Sequence, residues 1–225
     1  MTTSASNPGM TFALRDFLQN HMSEYHATVF IEFLISFVCW NILNIIVMNL
    51  KLNDGHLKRT DWLDFRNRIV SIIHGVLILI FSTYNTFFVH SGCGEHNTRF
   101  ETIIMNFTNG YFAYDFVAMA YLGILDRSMT IHHSICIGGL SAGLISGKSA
   151  EVLVGALFLT EISNPSMHIR NILRLLGFRY TKAYETAEVS YMRKSYLLPF
   201  IHFYSSVHFR SLFLRSPRPL SHIYV

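Results

Sequence analysis

Ionisable side chains stand inside the apolar runs of this sequence, where they are costly unless they pair or serve a site. Asp115 lies within Ile103–Leu125, His132 and His133 open Ile131–Gly147, and Glu161 closely precedes Asn164 and Pro165 in the run from Val152. His74 stands in Ile69–Val89 and Glu32 in Ala27–Leu50. A histidine near a carboxylate can act as a general base toward a hydroxyl or an amine, because imidazole titrates near neutral pH. Acyl transfer from a cytosolic donor to a lipid needs that base and a dry groove for the chain. His132, His133 and Asp115 are therefore the candidate catalytic residues. His74, Tyr111, Glu161, Asn164 and Arg170 are candidates for a lipid pocket or for helix pairing. The competing reading is that all these groups only bond helices to one another. No metal or cofactor is expected: adjacent histidines diverge on a helix, and the apolar runs hold no His-xxx-His.

Helical spacing gives these groups directions. Tyr111, Asp115, Ala118 and Leu122 share one face, and a carboxylate one turn from a phenol must look into a bundle. Tyr114 and Tyr121 line a neighbouring strip and read as aromatic packing. Gly139, Gly143 and Gly147 form a small-xxx-small pattern that lets another backbone approach. His132 shares that face and His133 is rotated by about 100°, so one imidazole looks inward while the other meets a neighbour or the interface. Pro165 lacks a donor and clashes with the Glu161 carbonyl. A polar-lined kink is expected there, with Asn164 and His168 on the face of Glu161. The ionisable groups cluster from mid-membrane to the cytosolic side, which suits a pocket open to the cytosol.

The elements that must hold them follow from composition. Of 225 residues, 51% are hydrophobic, 14% aromatic and only 14% charged, where about 25% charged is usual for a globular chain. Disorder, a collagen-like repeat and a disulfide scaffold are excluded. The expected fold is all-α, a multi-pass transmembrane helix bundle of about five spans plus a weak C-terminal segment; a span needs about 20 apolar residues. The spans are Ala27–Leu50, Ile69–Val89, Ile103–Leu125, Ile131–Gly147 and a run from Val152 through Ile172. A polar segment (1–26) precedes a transmembrane domain (27–191) and a basic tail (192–225). Residues 1–26 hold no apolar stretch after a basic start, so no cleavable signal peptide is expected.

Basic residues concentrate in the first loop (Lys51, Lys58, Arg59, Arg66, Arg68) and after the fifth span (Arg170, Arg174, Arg179, Lys182). With five spans this puts the N-terminus outside and both clusters in the cytosol. The basic residues fill gaps between apolar runs and make no face for nucleic acid. Cys39 and Cys136 read as small core residues. The sequon at Asn106 lies too close to the membrane for modification. From Arg193 onward come five basic residues, no acidic ones and three prolines; a poorly ordered tail is preferred to a membrane-surface segment.

Four motifs in order resemble the TLC-domain family: Arg-Ile-Val-Ser-x-x-His-Gly at Arg68–Gly75, Gly-Tyr-Phe-x-x-Asp at Gly110–Asp115, His-His-Ser at His132–Ser134, and Glu-x-Ser-Asn-Pro at Glu161–Pro165 followed by Arg170. The resemblance covers roughly Trp62 to Tyr191 and is nearest to the small TLC-domain-containing membrane proteins. It implies an all-α multi-pass fold and a link to lipid synthesis, lipid sensing or membrane composition. The ceramide synthase branch is similar in the double histidine, carried here onto His132 and His133. That branch has further aspartates on the next long helix, where this chain has Glu161, Ser163, Asn164 and Pro165, so ceramide synthesis is not implied. The family continues with one or two helices after the Tyr184–Tyr191 region, where this chain runs into its basic tail; an alternative or truncated ending is expected.

The expectation is an integral membrane protein of the endoplasmic reticulum or plasma membrane that acts on membrane lipid composition, with membrane lipids as partners. A lipid acyltransferase using acyl-CoA is the alternative. A transporter ranks third, since one span is Pro-interrupted and no internal repeat occurs.

Overall fold

The computed structural model describes residues 24–51, 57–89, 91–92 and 94–192. The described residues are all-α and contain no sheet. In chain order the helices are α1 (Glu24–Asn49), α2 (Arg59–Tyr84, continued by a π-helical turn, Asn85–Val89), α3 (Arg99–Leu122), α4 (Arg127–Ser146), α5 (Ala150–Glu161) and α6 (Asn164–Leu175). Residues 182–192 are also helical.

α1 is predominantly apolar, and its two sides differ in what they meet. Ala27, Val29, Ser36, Trp40 and Val47 are buried, whereas Ile35, Val38, Ile42, Ile45 and Ile46 are exposed. The inner side packs chiefly on α3. The crossing is tightest at Gly110, where a Cβ would stand 2.6 Å from Ser36 Cβ and 2.8 Å from the Phe37 backbone nitrogen. Ser36 Oγ and Trp40 Nε1 both donate to the Phe107 carbonyl at this crossing. Arg66 of α2 closes the far end of α1 by donating to the carbonyls of Val47, Met48 and Leu50, which the last turn of a helix leaves without partners.

α3 begins at a capping box. Thr98 Oγ1 accepts from the Glu101 backbone, and the Glu101 carboxylate accepts from Thr98 N–H, satisfying two donors that a helix start leaves open. The same carboxylate accepts from Ser91 N, Ser91 Oγ and Asn85 Nδ2, so it ties the π-helical turn to α3. α3 packs on α4, and α2 packs on α5 and α6. Val70, Ile78, Ile104, Met105, Tyr114, Leu140 and Val154 form the core between them.

Five spans are not what the described residues contain. Two helical stretches, Glu24–Asn49 and Arg59–Val89, are long and apolar enough to cross a membrane. The expected third span is long enough, but Asn106, Asn109 and Asp115 lower its hydropathy and are turned into the protein. The expected fourth is a 20-residue helix diluted by His132, His133, serines and glycines. The expected fifth is not one kinked helix. Ile162 and Ser163 break it into two helices of 12 residues, each about 18 Å long against a hydrocarbon core of roughly 30 Å. The orientation inferred from five alternating spans loses its count with them.

Smaller expectations also change. Cys39 is exposed rather than in the core, and Cys136 is half-buried. Of the three spaced glycines, only Gly143 is crowded, by the Leu153 side chain; Gly139 has open space at its Cβ position, and Gly147 ends α4 in a left-handed conformation. Asn106 of the sequon is buried and donates to Glu32, which also pairs with Arg99. The N-terminal segment up to residue 23, Cys93, the basic tail from 193 and the weak C-terminal segment lie outside the described residues.

Candidate functional site

Three helices bring their polar residues to one point. Asp115 of α3 places Oδ2 2.8 Å from His133 Nε2 of α4, and its Oδ1 accepts from Asn67 Nδ2 of α2 at 2.8 Å. Asn67 Oδ1 accepts from the Tyr114 hydroxyl at 3.3 Å. His133 Nδ1 lies 2.8 Å from the Met129 carbonyl oxygen. A carbonyl only accepts, so Nδ1 carries a hydrogen. One further proton must lie between Nε2 and Oδ2, on either partner. In both states both ring nitrogens of His133 are occupied. The pair is almost completely buried, with side-chain exposures of 4% and 6%, where an unpaired charge would be costly.

Beside this pair lies a cavity of about 620 Å³, inside the range of roughly 300–1,000 Å³ typical of small-molecule sites. His74, Tyr111, Asp115, His132, His133, Glu161, Asn164 and His168 all line it. Acidic and imidazole groups from α2 to α6 thus turn toward a shared interior. Phe112, Met119, Ile135, Leu140, Leu153 and Leu157 supply an apolar wall.

The individual positions differ in what they can offer a ligand. His74 is wedged between aromatic rings: its imidazole stacks on Tyr111 at 3.7 Å and 10°, with Trp40 edge-on at 5.5 Å. Its Nε2 is buried with no hydrogen-bond partner among the described residues. His132 is exposed, edge-on to Phe112 and His133, and the Cys136 sulfur lies 3.8 Å from its Nε2. Glu161 ends α5 and presses on α2 at Gly75, where a Cβ would come within 2.9 Å of Glu161 Oε2 and 3.6 Å of Pro165 Cγ. The glycine of the Arg68–Gly75 motif is the notch that admits the Glu161–Pro165 motif. Arg170 does not line the cavity. It pairs with Glu188 at 3.6 Å and lies over the Tyr191 ring, fastening residues 182–192 to α6.

Asn67, Ser71 and Arg68 also line the cavity and were not among the site residues expected from the sequence. The signal was present: Asn67, Ser71 and His74 are spaced i, i+4, i+7 and so share one face of α2. Residues 64–209 match a family model described as the TLC domain. No solved structure matches the chain.

Proposed function

The chain is an integral membrane protein of the TLC-domain family, and from that premise we propose that it holds a membrane lipid in the cavity between α2 and α6 and acts on membrane lipid composition. The observation that carries this is the cavity itself: about 620 Å³, with an apolar wall from Phe112, Met119, Ile135, Leu140, Leu153 and Leu157 and polar side chains contributed by every helix from α2 to α6. Such a space suits an amphiphile with its chain against Ile135, Leu140, Leu153 and Leu157 and its polar part toward Asp115, Asn164 and His168. The endoplasmic reticulum and the plasma membrane are the compartments in which we place it. The test is mass spectrometry of lipid retained by the purified full chain after gentle extraction. One lipid class enriched over its share of the source membrane supports the reading; retention in proportion to the bulk membrane defeats it.

A second reading, an acyl-CoA-dependent lipid acyltransferase, draws on one observation: His132 exposes its imidazole in the cavity next to the immobilised Asp115–His133 pair. In such a reaction an acceptor hydroxyl or amine attacks the thioester carbonyl, the carbon–sulfur bond breaks, and the acceptor proton passes to a base before the thiol leaves. His133 has no ring nitrogen to spare, so the base would be His132. Labelled acyl-CoA with a panel of lipid acceptors tests this: turnover lost in His132→Ala supports it, and no turnover with any acceptor overturns it.

A further inference from the structure

We propose that the cavity mouth recognises the headgroup of a zwitterionic phospholipid, with Arg68 taking the phosphate and Asp64 the ammonium. This rests on the lipid-binding reading above and adds the class of lipid.

Asp64 and Arg68 line the cavity from the N-terminal part of α2. Their side chains are 28% and 18% exposed, whereas Asn67 between them, and Ser71 and His74 further along the same stripe, are buried. The pair therefore lies at an open part of the cavity wall on α2, and the aromatic cluster at His74 marks the inner end of that stripe. Beyond Asp115, which is paired with His133, the remaining carboxyl is Glu161, at the level of Gly75, about 16 Å beyond Asp64 along the helix axis.

The geometry leaves both charges able to take a second partner. The bond between them uses Arg68 Nε and Asp64 Oδ2 at 2.9 Å. The two terminal guanidinium nitrogens carry four more hydrogens, and Asp64 has another oxygen. Arg68 Nη1 lies 3.5 Å from His168 Nδ1. A guanidinium only donates, so His168 accepts through that nitrogen, is neutral there, and adds no charge to the mouth. Ser128 of α4 also lines the cavity.

Charge complementarity then selects the ligand. The mouth carries one cation and one anion side by side. The Asp115–His133 pair, with one proton between them, adds no net charge. A net anion would meet Arg68 but be repelled by Asp64. An uncharged glycerol ester would leave both charges with only each other. A headgroup with a phosphate and an ammonium a few bonds apart satisfies both, while its chain continues to the apolar wall at Leu140 and Leu153.

The test uses the purified full chain in detergent and three single-chain amphiphiles with the same acyl chain: lysophosphatidylethanolamine, lysophosphatidic acid and monoacylglycerol. The zwitterion is expected to bind at least about tenfold tighter than either. Arg68→Gln should abolish its advantage over monoacylglycerol. Asp64→Asn should abolish its advantage over lysophosphatidic acid. Equal affinities in the parent chain, tightest binding of lysophosphatidic acid, or an order that neither variant alters would overturn the headgroup assignment and leave the cavity reading standing. Failure of all three to bind would remove the cavity reading as well.

Discussion

His133 Nε2 faces Asp115 Oδ2 at 2.8 Å while its Nδ1 donates to the Met129 carbonyl, so the buried imidazole is held at both nitrogens. Its position makes it a joint between α3 and α4 as well as a wall of the cavity. Asn67 extends the joint to α2, because its amide bridges the Asp115 carboxyl and the Tyr114 hydroxyl.

That joint predicts an ordered series of stabilities. His133→Ala or Asp115→Ala strands a buried partner and should cost about 3–5 kcal/mol, as breaking a buried pair does. Asp115→Asn should cost far less, on the order of 1 kcal/mol. Its oxygen can still accept from Asn67, and its amide can donate to a neutral His133. Thermal unfolding in detergent would rank the three variants. An Asp115→Asn loss equal to that of Asp115→Ala would contradict the bond scheme.

The α1–α3 crossing separates two glycines that look alike in the sequence. Gly110→Ala places a methyl 2.6 Å from Ser36 Cβ, which must push α1 outward and break the bonds from Ser36 and Trp40 to Phe107. A loss of about 1–3 kcal/mol is expected, as for other overpacked sites. Gly138→Ala meets nothing within 4 Å and should gain up to about 1 kcal/mol from helix propensity. Melting temperatures moving in opposite directions would bear this out; a matching shift would not.

Much of the site could be read from residue types and spacing, because a costly polar group in an apolar run must turn inward whatever the helix count. Asp115, Glu161, His74, Tyr111 and Asn164 all reached the cavity for that reason. Spacing could not say which of His132 and His133 would be buried; the position of Asp115 on the facing helix decides it. Arg170 went elsewhere because Glu188 and Tyr191, eighteen or more residues later, compete for its guanidinium. The span count failed in part at polar residues that line the cavity. Asp115 in α3 and His132 and His133 in α4 line the cavity and lower the hydropathy of their helices, and Pro165, which has no N–H for the Glu161 carbonyl and crowds it, ends a helix that apolarity alone would continue. The start of α3 was legible but overlooked, since Thr98 and Glu101 form a capping-box pair.

Glu101 predicts a pH dependence. Burial pushes its carboxyl upward, but hydrogen bonds from Ser91 and Thr98 outweigh burial and hold it below the usual carboxylate value. A group depressed in the folded state contributes stability that is present above its unfolded value and is lost as pH falls through the folded one. The parent chain should therefore lose stability on acidification below the ordinary carboxylate range. Glu101→Gln should start less stable, by about 1–3 kcal/mol for the Thr98 donor it strands, and show a shallower acid dependence. Melting curves at stepped pH on both proteins measure it; parallel curves would remove Glu101 as the source.

The cavity itself can be filled without disturbing the joint. Gly139 lines it and has no atom within 4 Å of its Cβ position, whereas Gly138 is equally open but does not line it. Gly139→Phe should project a ring into the lipid space, and Gly138→Phe should project one outward. Both exchange a glycine for a better helix former, worth a few tenths to about 1 kcal/mol, so neither should unfold the protein. Lipid retained through purification should fall several-fold in Gly139→Phe and stay at the parent level in Gly138→Phe. Because the two variants share composition, helix and neighbourhood, any difference between them reports on the cavity alone. Unchanged lipid in Gly139→Phe would mean that the bound lipid occupies the outer surface and not the space between α2 and α6.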